Sequence, residues 1–299
     1  MLPRAIRRRL GTAHLALTPP PPAPDRHGIA LVLIARNEAA HLEEWGRFHR
    51  LAGVRRVIFY DNGSADGSAE ALAAGIGAER LTVMPWAQSL AEARSGIELN
   101  AQAMAYAHAV ANFGAAYRWM GFIDADEFLV PVGGATLPQA LEGLDVPNLS
   151  LPWHMFGTGG NATPPEAGTV AGFLDRAPVD LEGGGRLTGF KMLVDPSRVT
   201  RQSIHEARTG DDATWNDRGE KASFTTRESA GFYSAERVQL NHYYTRSRAE
   251  LEAKIGRGPN FKARAAAYGR TVQLTAEAIE AKTLRDTRAA DWFAAARSG

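Results

Sequence analysis

Residues 118–131 read Arg-Trp-Met-Gly-Phe-Ile-Asp-Ala-Asp-Glu-Phe-Leu-Val-Pro. An uninterrupted apolar run, Trp119 to Ile123, that stops on three acids reads as a strand buried on both faces. Asp124 and Asp126 are then expected together at its carboxyl end, the edge where open α/β sheets hold ligands. Two carboxylates one residue apart on a strand end suit a hard divalent cation with positions left for phosphate oxygens. Taken alone, the Asp-X-Asp pattern is equally an acidic turn after a core strand.

The preceding hundred residues supply the context. Ile29 to Ile34 is a short apolar run ending in Ala35-Arg36-Asn37-Glu38, followed by Leu42, Trp45, Phe48, His49 and Ala52 at helical spacing. Val54 to Tyr60 is a second run, closing on Asp61-Asn62-Gly63-Ser64-Ala65-Asp66-Gly67-Ser68, whose Gly, Asn and Ser provide a turn and a helix N-cap. Leu81 to Met84 makes a third strand, and a helical pattern through Leu99, Met104, Tyr106 and Val110 leads back to the strand ending at Asp124. Repeated β-loop-α units predict a mostly parallel, right-handed, Rossmann-like sheet flanked by helices, with one ligand-bearing edge.

In that order, Ala35-Arg36-Asn37-Glu38, Tyr60 through Ser68 and Asp124-Ala125-Asp126-Glu127-Phe128 resemble the donor-binding half of GT-A glycosyltransferases. More closely, the chain is similar to their bacterial family-2-like and family-92-type branch. Glu44-Trp45 with His49, Trp153 with Phe156-Gly157, Lys191, His205, and Asn241-His242-Tyr243-Tyr244 with Arg246-Ser247 fall in the family's order, and the likeness covers roughly residues 29 to 260. It implies a metal-dependent hexosyltransferase of polysaccharide biosynthesis, inverting, with a UDP-sugar donor and a glycan or glycolipid acceptor. Two other readings use the same carboxylates or fold: a nucleotidyltransferase or other phosphate-transferring enzyme, and a catalytically silent carbohydrate-binding protein.

Sugar-nucleotide chemistry assigns roles to the candidates. A metal bridging the donor's phosphates would stabilise the departing diphosphate. Asp126 is the first choice of direct ligand, with Asp124 binding through water or contacting the ribose, and Glu127 orienting the site from behind. Magnesium or manganese suits oxygen ligands, and a histidine tilts the choice to manganese. The resemblance puts His242 first for that ligand and His205 second, His205 otherwise serving the acceptor. Asn37 and Glu38 are expected at the base or ribose, and Asp61, or Asn62 beside it, at the uracil N3 proton, unless Asp61 and Asn62 only form an Asx turn. Arg94 is the candidate cation for the diphosphate. Trp153 and Phe156 are candidate sugar platforms, and Glu206 and Asp175 candidate general bases. His41, His49, His108 and His154 read as packing or surface residues.

Composition bounds these readings. With 34 basic and 33 acidic side chains the net charge is +1, so no global field points to nucleic acid. The absence of cysteine excludes disulfides, thiolate metal sites and a Cys nucleophile. Residues 1–28 form an arm with a basic cluster, Arg4 to Arg9, and the run Pro19 to Pro22; its apolar stretch is too short for a signal sequence or a membrane span. This arm is expected to be disordered or loosely docked, or to rest on an anionic membrane face. The catalytic domain is expected over 29–245, divided into a nucleotide-sugar half (29–131) and an acceptor half (132–245), with a helical segment over 246–299. Glycine-rich joints at Gly157 to Asn161 and Glu182 to Gly185 read as loops over an acceptor cleft. Lys254, Arg257 and Lys262 in the tail are candidate phosphate contacts or a solvated basic face. A cytoplasmic location is expected, with the inner membrane surface as the place the arm's alternative reading would give it.

Overall fold

The computed structural model describes residues 14–94, 96, 98–179, 187–258 and 265–298; Arg4 to Arg9, Gly183 to Gly185 and Lys262 lie outside them. The first half alternates as expected. Strands β1 (Ile29–Ala35), β2 (Arg56–Asp61), β3 (Leu81–Pro85) and β4 (Trp119–Phe122) are mutually parallel in the order β4-β1-β2-β3. They are connected through helices α1 (Ala39–Leu51), α2 (Ser68–Ile76) and α3 (Ala101–Phe113).

Strand β1 shows why the apolar runs are unbroken. Ile29, Leu31 and Leu33 enter one core with Trp45 and Phe48 of α1, whereas Ala30 and Val32 enter a second with Tyr106, Ala109 and Val110 of α3. Both faces are covered, so neither tolerates a polar residue. Helices α1 and α2 cross so closely that a Cβ on Gly75 would stand 2.2 Å from the Glu43 carbonyl oxygen. That crossing is possible only without a side chain.

The second half departs from the expected topology. Strands β5 (Glu127–Pro131), β6 (Asn148–Met155), β7 (Phe190–Val194), β8 (Ala213–Trp215), β9 (Lys221–Ser223) and β10 (Val238–His242) extend the sheet in mixed orientation. β7 runs antiparallel to both β4 and β6, and β10 pairs antiparallel with β5 but parallel with β6. The sheet is therefore mixed, not mostly parallel. The reason lies in the connections: parallel pairing in series needs a crossover of a dozen or more residues, usually a helix, and the second half is short of helices.

Residues 14–28 dock against this body. Leu15–Ala16 pairs with Arg201–Gln202, and Arg26 forms a two-pronged ion pair with Asp195 at 2.6 and 3.0 Å. Among the described residues beyond β10 lie the helices α4 (Arg248–Arg257), α5 (Ala265–Glu280) and α6 (Arg288–Ser298). Ser247 and Glu250 form a reciprocal capping box that starts α4 just beyond β10. Phe293 of α6 packs on Phe48 and closes the first core.

Candidate active site

The carboxyl ends of β1, β2 and β4 lie side by side, because Ala35 is in register with Asp61 and Val32 with Phe122. Two loops are laced together there. The Asn37 side-chain oxygen accepts from Ala65 N at 2.9 Å, Ser64 Oγ accepts from Asn37 N at 3.1 Å, and Ser68 Oγ accepts from Glu38 N at 2.9 Å. Asn37 adopts φ 55°, a left-handed conformation that asparagine tolerates. Asp61 Oδ1 accepts from Ser64 N at 2.8 Å, the Asx turn, which leaves Oδ2 outside the turn.

Just past β4 the acids divide their tasks. Asp124 Oδ1 accepts from Gln102 Nε2 and Oδ2 from the Lys191 ammonium, both at 2.8 Å. Burial works to raise its carboxyl, but the adjacent Lys191 outweighs this and holds it below the usual range. Glu127, fully buried, accepts Asp124 N at 2.8 Å and the Trp153 indole N–H at 2.7 Å, with Lys191 Nζ 3.5 Å away. Burial pushes the Glu127 carboxyl up, only partly opposed by Lys191. Lys191 itself is 1% exposed and is kept charged by these two carboxylates.

Asp126 faces a different set of partners. Its Oδ2 lies 3.3 Å from Lys254 Nζ and 3.5 Å from His242 Nε2. Burial is again opposed, here by Lys254, His242 and Arg246, so the carboxyl sits well below its ordinary value. His242 reaches this spot because β10 places it opposite Glu127 and beside Met155. Its Nδ1 is buried without a hydrogen-bond partner and lies 3.9 Å from Glu127 Oε1.

These distances test which residues fit a metal. A ligating histidine commonly donates its second ring N–H toward a carboxylate, and His242 has Asp126 at one nitrogen and Glu127 near the other. Asp126 and His242 therefore fit as a pair. Asp124, with each oxygen already accepting a hydrogen bond, fits an orienting role better than direct coordination. Among the described residues no group of three or more His, Asp or Glu converges on one point, so further ligands would have to come from substrate or water.

The remaining expected residues are distributed as follows. Glu38 is held by Arg246 at 2.9 Å and Arg257 at 3.2 Å. Arg246, at φ 50°, also donates to the Ala125 carbonyl at 3.0 Å and so ties the β1 loop to the Asp loop. Asn62 bonds through its backbone to Ala35 O. Arg94 is in an exposed loop, its N–H donating to Glu92 Oε1. His205 is exposed on a tight turn, its ring edge-on to Trp153 at 5.5 Å. Its neighbour Glu206 pairs with Arg208 at 3.2 Å and approaches Arg227 at 3.8 Å. Asp175 lies in a short strand whose carbonyl accepts Gly157 N.

Phe156 requires a correction. It is 1% exposed and packs on Tyr243 at 4.7 Å, so it belongs to the core and offers no platform. Trp153 alone of that pair borders the site, its ring 4.7 Å from that of His242. Gly189 sets its position: a Cβ there would fall 2.0 and 2.1 Å from two indole carbons. Gly189 is not at positive φ, so alanine would act purely by displacing the indole. Gly189→Ala is expected to cost about 1–3 kcal/mol, the scale of an overpacked core, and to shift tryptophan fluorescence as the Glu127 contact breaks. Unchanged melting and emission would show that the indole is not held there.

Lys191 carried no role in the sequence beyond its place in the family's order, because an isolated lysine in Phe190-Lys191-Met192-Leu193-Val194 gives no sign of its partners. The one available signal was its place in an apolar strand, where a lysine demands a counter-charge.

The family model described as glycosyltransferase family 92 matches residues 33–262, from β1 to the segment beyond α4. The chain belongs to glycosyltransferase family 92. Membership in family 92 places it among the glycosyltransferases. A family 92 protein of rice, Oryza sativa subsp. japonica, is 32% identical over 158 residues, covering 50% of this chain and 25% of the relative. One from Ricinus communis is 30% identical over 158 residues (50% and 26%), and one from Arabidopsis thaliana 26% identical over 197 residues (60% and 31%). The chain thus spans between a quarter and a third of the length of these relatives.

Proposed function

We propose that this family 92 chain is a GT-A-type, metal-dependent glycosyltransferase that moves a hexose from a UDP-sugar to a glycan or glycolipid acceptor with inversion. The observation that carries the reading is the convergence of Asn37, Asp61, Asp124, Asp126 and His242 on one sheet edge, the carboxylates beside a histidine with an unpartnered nitrogen. Asp126 and His242 would hold Mn2+ or Mg2+, which when bound supplies positive charge to the leaving diphosphate. Asp124 and Glu127, fixed by Lys191, keep the Asp loop in place. The indole of Trp153 borders the sugar side, with His205 at the mouth. Glu206 is the better placed of the two base candidates, because the adjacent His205 faces Trp153, whereas Asp175 lies in the short strand whose carbonyl accepts Gly157 N. Peripheral membrane contact would suit a glycolipid acceptor and a place at the inner, cytoplasmic membrane surface.

The test is turnover of a panel of nucleotide sugars with and without Mn2+, read as free nucleotide and as sugar transferred. Release of UDP dependent on metal supports the reading, and release of pyrophosphate would replace it with nucleotidyl transfer. For base selection, Asp61→Ala is expected to weaken UDP by about 1–3 kcal/mol, the cost of an unmatched polar partner, and to erode preference over CDP. Equal losses for both nucleotides would reduce Asp61 to shaping its turn.

A further inference from the structure

Among the described residues Lys191, Arg246, Arg257 and Lys254 approach the proposed donor edge, and they are not equivalent. Lys191 is buried and bound at 2.8 Å to Asp124. Arg246 bridges Glu38 and the Ala125 carbonyl, and Arg257 joins it on Glu38. Lys254 differs from all three. Its ammonium is held to Asp126 at a long 3.3 Å, its side chain is 23% exposed, and it is tethered from behind by the Tyr244 carbonyl at 2.9 Å and the Tyr244 ring at 4.1 Å. It also shares a single carboxylate oxygen with His242.

A divalent cation and an ammonium cannot both sit closely on one oxygen without strong repulsion. Lysine carries its charge on a flexible four-carbon stem with three rotatable donors and binds phosphate as a point charge. We infer that Lys254 is an exchangeable counter-cation, transferring its ammonium from the Asp126 carboxylate to the diphosphate of the nucleotide donor when metal and donor bind. This rests on the donor reading above and gives one residue of the tail a binding role. It also makes metal and nucleotide binding cooperative, since metal on Asp126 frees the cation that the phosphates need.

Calorimetry with Mn2+ alone, and with UDP or uridine at saturating Mn2+, tests this in the wild type, Lys254→Met and Lys254→Arg. Lys254→Met is expected to bind Mn2+ alone at least threefold more tightly, because a competitor is gone. It should bind UDP about tenfold more weakly while uridine is unaffected, and Lys254→Arg should retain most UDP affinity. Unchanged Mn2+ and UDP binding in Lys254→Met, or an equal loss for uridine and UDP, would overturn the exchange while leaving the donor reading intact. A wild-type protein that binds no UDP at all would bring down the donor reading, and Lys254's role with it.

Discussion

Replacing Lys191 with methionine is expected to destabilise the protein by about 3–5 kcal/mol, the cost of leaving buried charge unpaired. The ammonium is 1% exposed, the Glu127 carboxylate beside it is fully buried, and Asp124 is held at 2.8 Å. Methionine fills the volume but leaves the Glu127 carboxylate without its lysine counter-charge, held only by the Asp124 and Trp153 N–H groups. A chain of this size should then melt roughly 10 °C lower. Adding Glu127→Gln to Lys191→Met removes the stranded charge, so the double variant should recover at least half of the loss. A single variant within 1 kcal/mol of the wild type, the lower limit of an informative difference here, would show that the lysine is not the keystone of this cluster.

On the proposed metal-dependent mechanism, Asp126→Asn should leave the fold nearly intact and reduce sugar transfer about a thousandfold, the rate equivalent of losing several kcal/mol of metal-borne charge stabilisation. Its side chain is 19% exposed and lies in the loop between β4 and β5, so the core does not depend on it. Steady-state turnover with Mn2+, alongside a melting curve, separates the two effects. Retention of a tenth or more of the activity would move the chemistry away from Asp126. A collapse in melting temperature would instead assign the residue to holding Lys254 and His242 together.

The parts of the fold legible in the sequence were those whose burial is two-sided. Strand β1 serves two cores at once, so its apolar run announced itself, and the acids ending β4 stood out against it. The mixed half was not legible, because the orientation of β7 depends on partners 38 to 46 residues away in β6 and 70 to 74 residues away in β4. No local pattern records such pairing. Aromatic residues misled for a similar reason: Trp153 and Phe156 are three apart on one stretch, yet one borders the site and the other fills the core. The acids that one strand end carries by itself, Asp124-Ala125-Asp126, could be placed from sequence. The ion pairs that hold them come from distant segments.

The clamp of Arg246 on Glu38 joins positions 208 residues apart, and Lys254 meets Asp126 across 128. Contacts of such long sequence separation carry a large loop-closure cost and tend to form late. The donor edge should therefore be among the last regions to assemble and the first to open. A partly folded chain with its β1-β4 sheet complete would lack the Arg246 and Lys254 contacts and so, on the proposed function, could not hold a nucleotide-sugar donor. In hydrogen exchange, amides of α4 should exchange well before those of β1, and a donor nucleotide should slow the former selectively.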